Sequence, residues 1–188
     1  MTIDSRTLAV LAIDPSLAGT AYAFARPGRP VELERIKTSP ASSVRARLAR
    51  YEQISTPIVE VARLHEPVLC LIEGYSFASA GGQVSGRAHD RAELGGVLRW
   101  RLRDHVREFV EVAPSTLKKF TTGKGNAKKP EVVSVASRRW NQTFRTDDEA
   151  DAYALCMLGL ALVGAVIPDN KAQREVVEKL RVKLEAAA

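Results

Sequence analysis

Three short apolar segments crowd into the first 37 residues, and the gaps between them are too short to hold a helix. Residues 7–14 form a partly β-branched run that ends in Asp14 and meets Pro15, which cannot donate to a strand ladder. A second run, residues 20–25, follows Gly19, and a third, residues 31–37, follows a turn bounded by Pro27 and Pro30. Parallel neighbours need a crossover of a dozen or more residues, so strands joined this closely pair antiparallel. The chain therefore begins as a β-meander.

The period then changes. Over residues 41–65, Val44, Leu48, Tyr51, Ile54, Ile58, Val61 and Ala62 recur at three- and four-residue spacing, which predicts an amphipathic helix that Pro57 can kink. Residues 68–72 are apolar on both faces and stop at Glu73, as expected of a central parallel strand reached through the helical crossover. A Gly-, Ser- and Ala-rich stretch, residues 74–87, reads as an exposed loop. A helix over 88–108 with a stripe of Leu94, Leu98, Leu102 and Val106 comes next, then a fifth strand over 109–113. A short helix from Pro114, a basic loop at 123–128, a helix over 130–140, a core helix over 148–166 and a helical tail over 169–184 complete the order. The expectation is one α/β domain with a five-stranded mixed sheet, three antiparallel strands then two parallel, over residues 1–167, with a C-terminal helical extension over 168–188.

Composition narrows the function classes. The 188 residues are 45% hydrophobic and 27% charged, the balance of a globular protein. The two cysteines, Cys70 and Cys156, sit in apolar runs, which excludes a disulfide scaffold or cysteine zinc site as the organising principle. His65, His89 and His105 are far apart and form no ligand pattern. Neither a secretion signal nor a membrane-length apolar run is visible, so a cytoplasmic setting is the expectation. The formal charge is +6, and residues 99–145 alone hold twelve Lys or Arg against four Asp or Glu. That local field suits a polyanion such as nucleic acid but says nothing about chemistry.

The chemistry is in the acids. Asp14 and Glu73 end apolar strands, and Asp148 and Asp151 are at i and i+3, on one face of a helix start. In open α/β sheets, sites gather at the carboxyl ends of strands. Taken singly, each acid has a plain explanation: Asp14 as a turn residue before proline, Asp148 as an N-cap, Glu73 as a surface acid. Brought together, four carboxylates stay ionised cheaply only beside cations, and hard divalent ions, Mg²⁺ first, suit oxygen ligands.

At these residues the chain resembles a known family. The runs Leu11-Ala12-Ile13-Asp14-Pro15-Ser16, Leu71-Ile72-Glu73-Gly74-Tyr75-Ser76-Phe77 and Asp148-Glu149-Ala150-Asp151-Ala152 are similar to the acidic motifs of the RuvC-type Holliday junction resolvases, in the RNase H-like nuclease superfamily. The stretch from Pro114 to Val133 is similar to that family's lysine-bearing segment, and the overall likeness looks towards resolvase-like proteins of phages and actinobacteria. The resemblance implies an RNase H-like fold and a homodimer joined through the helix over 88–108. It implies that Asp14, Glu73, Asp148 and Asp151 hold two Mg²⁺ or Mn²⁺ ions, and that Lys118 and Lys129 (or its neighbour Lys128) face the scissile phosphate. Phe77, with Tyr75 as competitor, would contact junction bases. Lys119, Lys124, Lys128, Arg138 and Arg139 would extend the DNA-binding surface. The activity implied is in-line attack of an activated water on a phosphodiester of branched DNA, leaving 5′-phosphate and 3′-hydroxyl ends. Three departures stand out: Ser16 replaces a usual glycine, the loop after Glu73 is rich in glycine and serine, and the tail runs past the typical end.

Other readings compete. The same carboxylates would serve an RNase H-like nuclease acting on RNA or flaps. A non-catalytic junction scaffold would need the basic segment but not the acids, which oppose DNA binding. An actin-like phosphotransfer domain starts with a similar strand but needs a second domain and phosphate loops. The Gly81-Gly82 and Gly123-Lys124-Gly125 pieces lack P-loop spacing, so no nucleotide cofactor is expected.

Overall fold

Alternation along the first strand decides the layering. In the computed structural model, which describes residues 8–74 and 86–187, β1 (Val10–Asp14) lies at the centre of a sheet ordered β3-β2-β1-β4-β5. It pairs antiparallel with β2 (Gly19–Ala25) and parallel with β4 (Leu69–Glu73). The edges are β3 (Glu32–Lys37), antiparallel to β2, and β5 (Phe109–Val112), parallel to β4. This is the five-stranded mixed sheet expected from the short early connections and the later helical crossover.

Successive side chains of a strand point to opposite faces, and both faces of this sheet are covered. Leu11, Ile13, Cys70 and Ile72 pack with Tyr51, Ile54 and Ile58 of α1 (Val44–His65) and with Leu94, Leu98 and Leu102 of α2 (Gly86–Leu102). Val10, Ala12, Leu69 and Leu71 pack against α5 (Asp147–Leu162) on the other face. That second layer also holds α3 (Pro114–Thr122), α4 (Lys129–Trp140) and α6 (Lys171–Ala187). Both cysteines are buried and free, and burial pushes both thiols up. No helix among the described residues is long and apolar enough to cross a membrane.

Several expected boundaries move, each for a physical reason. The second helix stops at Leu102 rather than residue 108, because Arg107 N–H already donates to Pro67 O and Glu108 O accepts from Cys70 N–H, committing that backbone to the neighbour of β4. Its Leu94, Leu98 and Leu102 stripe is wholly inside the protomer, and Val106 reaches the same core from the following loop. The first helix starts at Val44, where the Ser43 hydroxyl accepts from Ala46 N–H at 3.2 Å, and Val44 and Leu48 are exposed rather than part of the buried stripe. The core helix ends at Leu162, just before Gly164.

 The Gly164 φ is 78°, a conformation that side chains disfavour and that breaks the helical path. Val176, Val177 and Leu180 of α6 enter the same core as α5.

Candidate active site

The parity that buries Val10 and Ala12 under α5 also turns Asp14 to that side, and the parity of Leu69 and Leu71 does the same for Glu73. The two strands run parallel with Ile13 opposite Ile72, so both acids come out at the same end of adjacent central strands. The start of α5 lies over them. Its N-cap is Thr146, whose hydroxyl accepts from Glu149 N–H at 3.3 Å, while Glu149 Oε2 accepts from Arg145 N–H at 2.6 Å. Asp148 is therefore inside the first turn rather than the cap itself.

Asp14, Glu73 and Asp151 each offer a carboxylate oxygen, and these atoms lie within 4.8 Å of one another. Asp148 stands beside them but is engaged elsewhere: Arg35 donates to its Oδ2 from Nε at 3.2 Å and Nη2 at 3.0 Å. A second cluster, His89, Asp90 and Glu93 on α2, is more open, and its Glu93 already accepts from the Tyr51 hydroxyl at 2.8 Å and pairs with Arg47 at 3.1 Å.

Burial and crowding shape the protonation of the three acids. Burial first, then the Glu73 and Asp148 charges, hold Asp14 well above the usual carboxylate range. Burial also raises Glu73, against the lowering pull of its hydrogen bond with Asp14 and of Arg91 and Lys129. Burial and the Asp14 charge push Asp151 up to about 7. Only oxygen donors converge here, they repel one another when ionised, and hard divalent cations are the ligands such a set fits.

These shifts fix a sign for pH. A carboxyl raised on folding binds protons in the folded chain that the unfolded chain has already lost, so its contribution is full below about pH 4 and is lost as pH rises through about 7. Metal-free protein should accordingly melt at higher temperature at pH 5 than at pH 8, after allowance for the rest of the chain through an Asp151→Asn reference. Divalent ions should shrink that difference. A pH 5 to pH 8 difference identical in wild type and Asp151→Asn would contradict it.

The basic residues divide by what they touch. Lys129, at the start of α4, pairs with Asp147, which raises the lysine and lowers the acid, and its charge also acts on Glu73 and Asp151. Lys118 is half-buried on α3, and Lys128 is exposed at the α4 N-cap. Lys119 is drawn to Glu175 of α6 at 2.7 Å, and Arg139 to Asp169 at 3.2 Å. Lys124 is 3.8 Å from Glu131, and Arg138 donates to the Ser134 hydroxyl at 2.7 Å. Tyr75 and Phe77 lie outside the described residues. Sequence reading passed over Arg35, Asp147 and Arg91. Arg35 had a signal: in β3 it shares parity with the partly buried Leu33, an odd position for a cation on a covered face.

A mixed sheet in the order 3-2-1-4-5, with acids at the ends of the adjacent strands β1 and β4 and at the start of α5 packed against it, defines an RNase H-like nuclease. Residues 10–158 match the family described as "Crossover junction endodeoxyribonuclease RuvC", and the chain belongs to the RuvC family. Relatives bearing that same description include one from Synechococcus sp. (strain CC9311), 29% identical over 80% of this chain and 96% of its own. Another, from Chlamydia muridarum, is 31% identical over 79% of this chain and 88% of its own. Among solved structures, Thermus thermophilus RuvC in complex with a Holliday junction substrate aligns with a TM-score of 0.64 at 19% identity, covering 84% of this chain and 97% of that one. The yeast mitochondrial Holliday junction resolvase aligns with a TM-score of 0.55 at 14% identity, covering 98% and 85%.

Proposed function

We propose that this chain is a metal-dependent endodeoxyribonuclease that resolves four-way DNA junctions by paired incisions. The observation that carries the reading is the meeting of Asp14, Glu73 and Asp151 at one end of the sheet in a chain of this family. These three acids, with Asp148 beside them, would hold two Mg²⁺ or Mn²⁺ ions. Such ions supply water activation and charge neutralisation for phosphodiester hydrolysis. The chain's own contribution is placement. The paired strand ends fix Asp14 and Glu73, and the capped α5 fixes Asp151 and Asp148.

Lys118 and Lys129 are the proposed phosphate contacts, with Lys119, Lys124, Lys128, Arg138 and Arg139 as the wider basic surface and Tyr75 and Phe77 as base contacts. Lys118→Ala and Lys129→Ala should each weaken junction binding. Each should also lower the slope of log affinity against log salt by roughly 0.9, the value for one lost phosphate contact on duplex DNA. An unchanged salt slope in both variants would remove them from the DNA surface.

Paired incision needs two sites at fixed separation, so we propose a homodimer. Leu94, Leu98 and Leu102 are spent on the protomer's own core, which leaves the outer face of α2, with exposed Gly96 and Trp100, for the second copy.

Cleavage of a synthetic four-way junction, a flap, an RNA–DNA hybrid and a plain duplex, with and without Mg²⁺, tests the reading. The expected result is Mg²⁺-dependent paired cuts in the junction, with the protein sedimenting as a dimer at micromolar concentration. Preference for the flap or hybrid, or junction binding without cleavage, would overturn it.

A further inference from the structure

Arg35 comes from an edge strand, yet it reaches the acidic end of the sheet. Pairing across the sheet sets Asp14 opposite Ala21 and Ala21 opposite Arg35, so the three share one row and one face. Between the cation's strand and Asp14 the row holds only the methyl group of Ala21. Gly19 clears the rest of the path: a Cβ there would lie 2.1 Å from Arg35 Nη2 and 2.5 Å from its Cζ. Two minimal residues on β2 thus leave the space through which the guanidinium meets Asp148.

Both donors converge on one atom, Asp148 Oδ2, and the two side chains are only 20% and 16% exposed. A charge pair this sheltered is screened far less than one in open water. The guanidinium also cannot be deprotonated away. A fixed positive charge therefore sits against one carboxylate of a group that otherwise attracts cations.

We infer that Arg35 competes with divalent ions for Asp148, and so sets the ion concentration at which the site becomes fully loaded. This rests on the metal-site reading above. Asp14, Glu73 and Asp151 are free of the guanidinium and take up the first ion. Full occupancy requires Asp148 to exchange Arg35 for an ion, and the arginine's charge opposes that step. The site then fills in two unequal stages, the second governed by the Arg35–Asp148 contact.

Mn²⁺ binding, followed by calorimetry and by the paramagnetic resonance signal of free Mn²⁺ at constant ionic strength without DNA, tests this. In Arg35→Gln the weaker binding stage should tighten by about tenfold, the order expected when a unit charge close to an ion site is removed. Arg35→Lys, which keeps the charge but loses the planar fork, should fall between that variant and wild type. It also supplies the comparison if the glutamine variant does not fold. In an Asp148→Asn background, Arg35→Lys should change Mn²⁺ binding little, since the contested oxygen has lost its charge. Wild type that binds Mn²⁺ in two stages, with Arg35 variants binding equally or more weakly, would overturn the competition and leave the metal site standing. Wild type that binds no Mn²⁺ would overturn both.

Discussion

Asp14→Asn should reduce junction cleavage by at least about a thousandfold while leaving junction affinity unchanged or slightly stronger. The loss follows because the amide is a poor substitute for an anionic oxygen ligand, and ion-borne stabilisation of a phosphodiester transition state is worth several kcal/mol at about 1.4 kcal/mol per decade. Binding should hold because the substitution takes a negative charge away from the phosphates. A third effect separates this residue from an ordinary catalytic acid. Asp14 is only 6% exposed and is crowded by Glu73 and Asp148, so neutralising it relieves repulsion in the folded chain. Metal-free Asp14→Asn should therefore melt above metal-free wild type at pH 8 and gain less from added Mg²⁺. Single-turnover cleavage, junction binding in the absence of Mg²⁺, and paired melting curves would check the three together. Parallel loss of cleavage and binding in a folded variant would place Asp14 in DNA contact or in structure rather than in the metal site.

The acids were legible in the sequence because each one interrupts a pattern. Asp14 and Glu73 close apolar runs, and Asp151 is a lone charge among Ala150, Ala152 and Ala154. The sense of strand pairing followed from loop lengths, since short gaps force antiparallel pairing and the helix over the crossover permits a parallel return. What stayed hidden depends on contacts between distant segments. The Arg35–Asp148 pair spans 113 positions and exists because the row through Ala21 and the gap at Gly19 admit a long side chain. The early end of α2 was hidden for the same reason: the backbone of Arg107 and Glu108 is claimed by Pro67 and Cys70. The α2 stripe read correctly as a buried face, but a stripe does not name its partner, and here the partner is the protomer's own sheet.

Fold and site are coupled at Gly159, two to three turns beyond Asp151 and Asp148 on α5. A Cβ there would lie 2.5 Å from Leu71 Cδ1 and 2.5 Å from Val10 Cγ1, on the two central strands. Both neighbours are fully buried, so neither has free space to retreat into. Glycine normally weakens a helix interior by about 1 kcal/mol relative to alanine, and the close approach of α5 to the sheet accounts for its use here. Gly159→Val adds three carbons at that contact and can be accommodated only if α5 lifts or slides. The expected cost is about 3 kcal/mol of stability, the upper part of the range for overpacking a core. Displacement of α5 also carries Asp151 and Asp148 relative to Asp14 and Glu73. Cleavage by the folded fraction should therefore fall by more than tenfold and recover in part at high Mn²⁺. The contrast is Gly96→Ala on α2, where a Cβ meets nothing within 4 Å. Stability there should be unchanged or rise by up to about 1 kcal/mol on helix propensity alone. Chemical denaturation of both variants, beside single-turnover cleavage across a Mn²⁺ series, would check this. Equal stability of the two variants would mean that α5 does not bear on the strands as closely as its glycine implies. A destabilised Gly159→Val with full activity per folded molecule would mean that the acids are held in place by something other than the seating of α5.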